Sequence, residues 1–228
     1  MSEPESGSTI RVLIADDEAL VRAGFRVLVD SAVDLTVVGE ASNGGEAVRL
    51  TRQLRPDVVL MDIRMPIMDG LEAMRHIAAG ETQGPHVLIV TTFDQDEHVF
   101  QALRSGASGF LLKDSPPEEL LHAIRVVANG DALLTPSVTR RMISTFARQP
   151  VAPAAPPDVL AALTDRERQV FEHVAAGLSN AEIASTLHLS IATVKTHVGR
   201  LLTKLAVRDR AQLVVLAYET GIVVPGNR

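Results

Sequence analysis

Five short, almost wholly apolar runs, each followed by a stretch with helical spacing, constrain this chain more than any other feature. The runs occupy residues 10–15, 35–39, 58–61, 87–90 and 109–112. Near-continuous β-branched and leucine content over four to six residues reads as strands buried on both faces of a parallel sheet. Residues 19–29, 45–54, 71–79, 99–105 and 118–128 carry apolar side chains at three- and four-residue spacing and read as helices. Five β–α repeats imply an α/β fold, an open, doubly wound sheet of five parallel strands. In such sheets ligands collect outside the carboxyl ends of the strands. Chemistry is expected there.

Those ends carry a patterned set of polar residues. Asp16 and Asp17 follow the first run, Asp62 the third, Thr91 the fourth and Lys113 the fifth. Three carboxylates brought to one rim repel unless a cation intervenes. A hard divalent ion such as Mg²⁺ (or Mn²⁺) takes oxygen ligands and suits this set. It would neutralise an incoming phosphoryl group and let a carboxylate act as nucleophile. Lys113 and Thr91 could each reach a phosphoryl oxygen. Singly, each residue has a bland reading: a solvated loop acid, a surface lysine, a strand threonine. Their order over successive strand ends argues for the site. A phosphatase or phosphotransferase with an aspartyl intermediate would want a second acid two residues after the nucleophile, where Arg64 stands. A domain of this fold regulated by something other than phosphorylation is a second rival; the intact acid, threonine and lysine set argues against it, and Mg²⁺ binding would separate the two.

Residues 10–129 resemble the receiver domain of bacterial response regulators, a flavodoxin-like fold. The resemblance lies in Ala15-Asp16-Asp17, the run Met61-Asp62-Ile63-Arg64-Met65-Pro66-Ile67-Met68-Asp69-Gly70, Val90-Thr91-Thr92 and Gly109-Phe110-Leu111-Leu112-Lys113. It implies that Asp62 is phosphorylated by a sensor histidine kinase. By the same resemblance Asp16, Asp17 and Asp62 bind the metal, with the Arg64 backbone carbonyl as a further ligand. Thr91 and Phe110 would form a switch pair whose hydroxyl turns to the phosphoryl group while the ring moves inward. Many receivers have proline after the lysine; Asp114 stands there, so a cis-proline is not expected at that bond. The receiver would assist its own phosphoryl transfer and dephosphorylation, with no turnover of an external substrate.

The rest of the chain differs in character. Residues 1–139 carry a net charge of −10, whereas 163–228 carry +2. The front should repel nucleic acid and the tail tolerate it. A helix is expected over 135–147, then four prolines in residues 149–157 read as a semi-rigid linker. Beyond Leu163 the pattern is all-helical. Thr164-Asp165-Arg166-Glu167 and Ser179-Asn180-Ala181-Glu182 are capping boxes, Ser190 and Asp209 are candidate N-caps, and Gly177 is placed to end the first helix. On a wheel from Ser190 to Leu205, Val194, Val198, Leu201, Leu202 and Leu205 share one arc. Thr196, Gly199 and Thr203 lie opposite, flanked by Lys195, His197, Arg200 and Lys204. An apolar stripe behind and small, hydroxyl and basic residues in front suit a DNA major groove. A surface helix of an interaction domain is the bland alternative.

Residues 163–223 resemble the LuxR-type helix-turn-helix domain, through Leu163-Thr164-Asp165-Arg166-Glu167, the run from Gly177 to Ala184 and Thr193-Val194-Lys195-Thr196-His197-Val198. The whole chain is thereby identified as a member of the NarL/FixJ class of two-component response regulators. The resemblance implies base or groove contacts from Lys195, Thr196 and the position of Gly199, where glycine replaces a side chain that is often polar or basic. Backbone contacts are expected from Ser179, Asn180, Thr193, His197, Arg200 and Lys204. Arg166 and Arg168 are read as capping and solvating residues. The expected domains are a receiver at 9–131, a linker with one helix at 132–162 and a four-helix DNA-binding domain at 163–224. Expected partners are the kinase, double-stranded promoter DNA, a second copy of the chain, meeting through the last helix, and RNA polymerase. No apolar run is long enough to span a bilayer and the acidic start is unlike a signal peptide, so no membrane partner is expected and the cytoplasm is. The absence of cysteine removes disulfide and thiol chemistry.

Overall fold

The computed structural model describes residues 9–78, 84–92, 101–130, 160, 162–220 and 222. They fall into two compact units. The first is built on five parallel strands: β1 (Ile10–Ala15), β2 (Leu35–Ala41), β3 (Val58–Met61), β4 (His86–Thr91) and β5 (Gly109–Leu112). Their order across the sheet is β2-β1-β3-β4-β5. The chain steps from β1 to one side for β2, then crosses to the other side for β3. The topological switch point therefore lies between β1 and β3, where this architecture opens a crevice at the carboxyl ends. Register pairs Ala15 with Met61 and Met61 with Ile89, so the ends of β1 and β3 are level.

Burial follows position in the sheet. Every residue of β3 and all but the first of β4 are buried, and each fully buried leucine or isoleucine there contributes about 1.5–3 kcal/mol. β2 departs from the expectation of burial on both faces: its five central residues are half-buried, because it is an edge strand. A register shift between Val12 and Leu13 bends the same pair.

The helices α1 (Ala19–Asp30), α2 (Gly44–Leu54), α3 (Gly70–Ala78) and α4 (Pro117–Ala128) connect or follow the strands. The Asn43 side chain caps α2 by accepting from the Glu46 amide. α4 starts on Pro117, with Glu118 and Glu119 in its first turn, a favourable arrangement at the positive end of the helix dipole. Of the helix expected over 99–105, residues 101–104 are described and are helical. The expected helix at 135–147 and the proline-rich segment at 149–157 lie outside the described residues.

The second unit holds α5 (Asp165–Ala175), α6 (Asn180–Leu187), α7 (Ile191–Lys204) and α8 (Arg210–Glu219). All four expected N-caps form: Thr164 and Ser179 make complete capping boxes, while Ser190 and Asp209 accept from Thr193 and Gln212 amides. Gly177, at φ 82°, ends α5. Its amide donates to Val174 and that of Leu178 to His173, the paired bonds that close a left-handed helix terminus. Val170, Phe171, Val174, Ile183, Val194, Leu201 and Leu213 are completely buried and form the core.

Candidate functional site

The carboxyl ends of β1, β3 and β5 bring Asp16, Asp17, Asp62 and Lys113 together. Main-chain bonds fix the frame: the Asp62 amide donates to Ala15 (2.8 Å), the Asp16 amide to Ala41 (3.1 Å) and the Lys113 amide to Thr91 (2.9 Å). Carboxylate oxygens of Asp16, Asp17 and Asp62 lie within 4.8 Å of one another. Asp16 and Asp62 are buried and Asp17 is exposed, so the cluster opens to solvent on one side only. The Lys113 ammonium donates to Asp62 Oδ2 at 3.0 Å and forms an ion pair with Asp16 Oδ2 at 2.7 Å. The latter contact lacks the direction of a hydrogen bond. Asp62 Oδ1 accepts from the Ile63 amide at 2.7 Å.

The electrostatics follow from burial and from this single cation. Burial pushes the Asp16 carboxyl above its ordinary value; Lys113 and the Glu18 amide oppose that push without cancelling it, and the Asp62 charge adds to it. Burial alone would lower Lys113, but the carboxylates of Asp16 and Asp62 outweigh it and hold the ammonium above its ordinary value. The rim is thus an all-oxygen donor set with more negative charge than one lysine offsets. That chemistry fits a hard divalent cation such as Mg²⁺ or Mn²⁺.

Thr91 closes β4 and is fully buried, and Phe110, opposite Ile89 in β5, is 1 % exposed. Arg64 follows in the loop from β3 to α3, with its side chain exposed. No peptide bond among the described residues is cis, the one after Lys113 included.

Three further residues serve this rim and escaped the sequence reading. Glu18 Oε1 lies 3.6 Å from Lys113 Nζ. Arg22 donates to the Asp16 carbonyl at 2.7 Å. Gly70, named above only as the last residue of a matching run, packs so closely under β3 that a Cβ there would collide with the Asp62 carbonyl oxygen. Only the adjacency of Glu18 to the acid pair, and Arg22 one turn on, signalled the first two. The third depends on a close approach that sequence spacing does not encode.

In the second unit α7 has the two faces expected of it. Val194, Val198, Leu201 and Leu205 are buried, while Lys195, Thr196, Gly199, Arg200 and Thr203 are exposed. Among the described residues Lys195 and Arg200 have no ion-pair partner, and space beside Gly199 is open. The Thr196 hydroxyl donates back to Ala192 at 3.0 Å. Thr193 is half-buried and shares a bond with Ser190; His197 is half-buried, with Nδ1 enclosed and unpartnered. At the start of α6 the Ser179 amide is taken by Glu182, and Asn180 Oδ1 accepts from Arg210 at 2.9 Å. The Ser179 hydroxyl accepts from the Glu182 amide and also pairs with its carboxylate.

Lys204 is differently engaged. Its ammonium lies 2.7 Å from Glu167 Oε2 and donates to the Ala162 carbonyl at 3.1 Å. Reaching a phosphate would require leaving a buried carboxylate. Arg166 donates to the Leu187 carbonyl (2.7 Å), capping α6, and Arg168 reaches the Leu160 carbonyl, as their reading as capping residues anticipated. Arg210, unmarked in the sequence reading, is buried, and donates to the Leu178 carbonyl as well as to Asn180.

Comparison with known proteins identifies both domains. Residues 12–125 match the response regulator receiver domain, and residues 161–217 match the bacterial regulatory proteins of the luxR family. The transcriptional regulatory protein YxjL of Bacillus subtilis is 44 % identical over 215 residues, covering 94 % of this chain and 97 % of YxjL. The crystal structure of ChrA, the response regulator of a heme-sensing two-component system, is 36 % identical, with a TM-score of 0.52 over 95 % of this chain and all of ChrA. The signal receiver domain of NarL from Mycobacterium tuberculosis is 38 % identical, with a TM-score of 0.52 over 54 % of this chain and 98 % of that domain. With a receiver carrying an acidic, lysine-bridged rim and a LuxR-type helical domain on one polypeptide, the chain belongs to the NarL/FixJ class of two-component response regulators, which are phosphorylation-controlled transcriptional regulators.

Proposed function

We propose that Asp62 accepts a phosphoryl group from a sensor histidine kinase, and that the phosphorylated chain binds promoter DNA as a dimer through α7. The observation that supports it best is the Lys113 ammonium, 3.0 Å from Asp62 and 2.7 Å from Asp16, at the mouth of a three-carboxylate cluster. Asp62 is the one acid of the three at the end of β3, held level with Asp16 by the sheet. Asp16, Asp17 and Asp62, with the Arg64 backbone carbonyl, hold Mg²⁺ or Mn²⁺. The bound cation offsets the negative charge of the phosphoryl oxygens. An Asp62 oxygen attacks phosphorus as the P–N bond to the kinase imidazole breaks, and the electron pair stays with the ring nitrogen. Lys113 then pairs with a phosphoryl oxygen, and Thr91 donates to another, while Phe110 keeps the space beneath it filled.

Moving a receiver from mostly inactive to mostly active takes about 5.5 kcal/mol of differential interaction. Contacts from Lys113 and Thr91 made only to the phosphorylated form supply part of it. The functional domains run over residues 9–131 and 163–224, joined by 132–162. Lys195 and Thr196 reach base edges beside Gly199, while Ser179, Asn180, Thr193, His197 and Arg200 meet the phosphate backbone. Lys204 does so only by releasing Glu167. A second copy, paired through α8, gives two half-sites one helical turn apart, and RNA polymerase is the remaining partner. No helix of the described residues is long and apolar enough to cross a membrane, and the reading puts the chain in the cytoplasm, where kinase histidine and chromosome are both in reach. Incubation with a radiolabelled phosphohistidine donor and Mg²⁺ tests the transfer. Acid-labile, base-labile label in wild type and none in Asp62→Asn is expected; equal label in both overturns the assignment.

A further inference from the structure

At the opposite end of the sheet from Asp62, a cavity of about 450 Å³ lies between the C-terminal ends of α2 and α3 and the chain entering β3 and β4. That volume falls within the range of small-molecule sites. Its lining pairs the apolar residues Val48, Pro56 and Ile77 with two arginines, Arg52 and Arg55. Four arginines of this acidic unit have an acid to answer them: Arg22 and Arg26 meet Glu40, Arg49 meets Glu46 and Arg125 meets Asp34. Among the described residues Arg52 and Arg55 have none. Among the described lining residues the one acid, Asp57, accepts from the Arg11 amide at 2.7 Å. Thr51 also lines the cavity; it is 6 % exposed, and its hydroxyl oxygen is buried with no hydrogen-bond partner. A buried hydroxyl left unpaired carries an uncompensated desolvation cost.

Basic residues favour helix C-termini, and the dipole of α2 accounts for one arginine there. It accounts neither for a space of this size nor for the unpartnered hydroxyl of a residue that lines it. We propose that this cavity binds a small organic anion, its charged group held by Arg52 and Arg55, its apolar body against Val48 and Ile77, and a polar atom bonded to Thr51. Guanidinium forks suit carboxylate or phosphate oxygens, and the apolar walls distinguish an organic anion from an inorganic one.

Phenyl phosphate is a suitable probe, with inorganic phosphate and benzyl alcohol as its charged and apolar halves. Titrated into ¹⁵N-labelled full-length protein without divalent cation, phenyl phosphate is expected to give saturable shifts at amides of residues 48–57 and 76–78. It should bind at least tenfold more tightly than either half. Arg52→Gln with Arg55→Gln should abolish those shifts and Thr51→Val weaken binding several-fold, while Arg49→Gln, on the outer face of α2, leaves binding intact. Three outcomes overturn the proposal: inorganic phosphate binding as well as phenyl phosphate, undiminished binding in the double variant, or shifts centred on Asp62 and Lys113. None depends on whether Asp62 is phosphorylated, so the proposal fails or stands apart from the kinase reading.

Discussion

Glu167 offers a quantitative test of how the DNA-binding unit is held together. Its side chain is 3 % exposed, lies 2.7 Å from the Lys204 ammonium and accepts from the Thr164 amide at 2.9 Å. The Lys204 bond first, then the Thr164 bonds, outweigh the cost of burial and hold its carboxyl at about 2, down from 4.5. At about 1.36 kcal/mol per pKa unit, that shift corresponds to about 3 kcal/mol. Lys204 is 35 % exposed, so solvent screening reduces the figure to about 2 kcal/mol. A carboxyl whose folded pKa is depressed stabilises fully above its unfolded pKa, and that stability is lost as pH falls through the folded value. The loss therefore falls between about pH 5 and pH 2. The chain has one tyrosine and no tryptophan, and Tyr218 is buried in α8. Tyrosine fluorescence during urea unfolding consequently reports the helical unit of the full-length chain without interference from the receiver. Glu167→Gln keeps the capping geometry and removes the charge. It should cost about 2 kcal/mol at pH 6, with the gap to wild type closing towards pH 2. A gap that stays constant across that range, or is absent at pH 6, refutes the reasoning.

Other expectations follow from single contacts. Gly70→Ala drives a methyl group into the Asp62 carbonyl, and should lower receiver stability by about 1–3 kcal/mol and slow Asp62 phosphorylation, read by denaturation followed by far-UV circular dichroism and by label incorporation. Gly199→Ala meets open space on an exposed helix face and should stabilise the helical unit by about 0.5–1 kcal/mol, visible in the same tyrosine assay. Lys195→Ala should weaken DNA binding and reduce the slope of log affinity against log salt by about 1 if it pairs with phosphate, or cost about 1–3 kcal/mol at one base position if it reads a base edge; fluorescence anisotropy across salt separates the two.

The central strands and the site were legible because a strand buried on both faces writes its position as an unbroken apolar run, and a parallel sheet puts the next residue on one rim. Asp16, Asp62 and Lys113 are distant in sequence, yet each adjoins such a run. β2 was less faithful to the rule, since an edge strand leaves half its surface unpaired. The helix starts of the second unit were legible for a different reason: caps are local, and Thr164 with Glu167 or Ser179 with Glu182 complete their bonds within one turn. What sequence did not convey is long-range partnership. Lys204 sits on the flank of α7 where a phosphate contact is natural, but its ammonium is claimed by Glu167, 37 residues away in the chain. Arg210 looks like a surface arginine at a helix start, and is buried because Leu178 and Asn180 accept its hydrogens. Gly70 looks like a turn residue, and its lack of a side chain is required by the Asp62 backbone lying against it.

The account rests on a phosphoryl group at Asp62 controlling how well α7 engages DNA. The most direct measurement is the affinity of full-length protein for a cognate promoter duplex, by anisotropy at fixed salt with Mg²⁺, with and without beryllofluoride as phosphoryl mimic. Wild type should bind at least tenfold more tightly with the mimic and elute as a dimer, while Asp62→Asn responds to neither. Equal affinity with and without the mimic in wild type, or the same gain in Asp62→Asn, contradicts it.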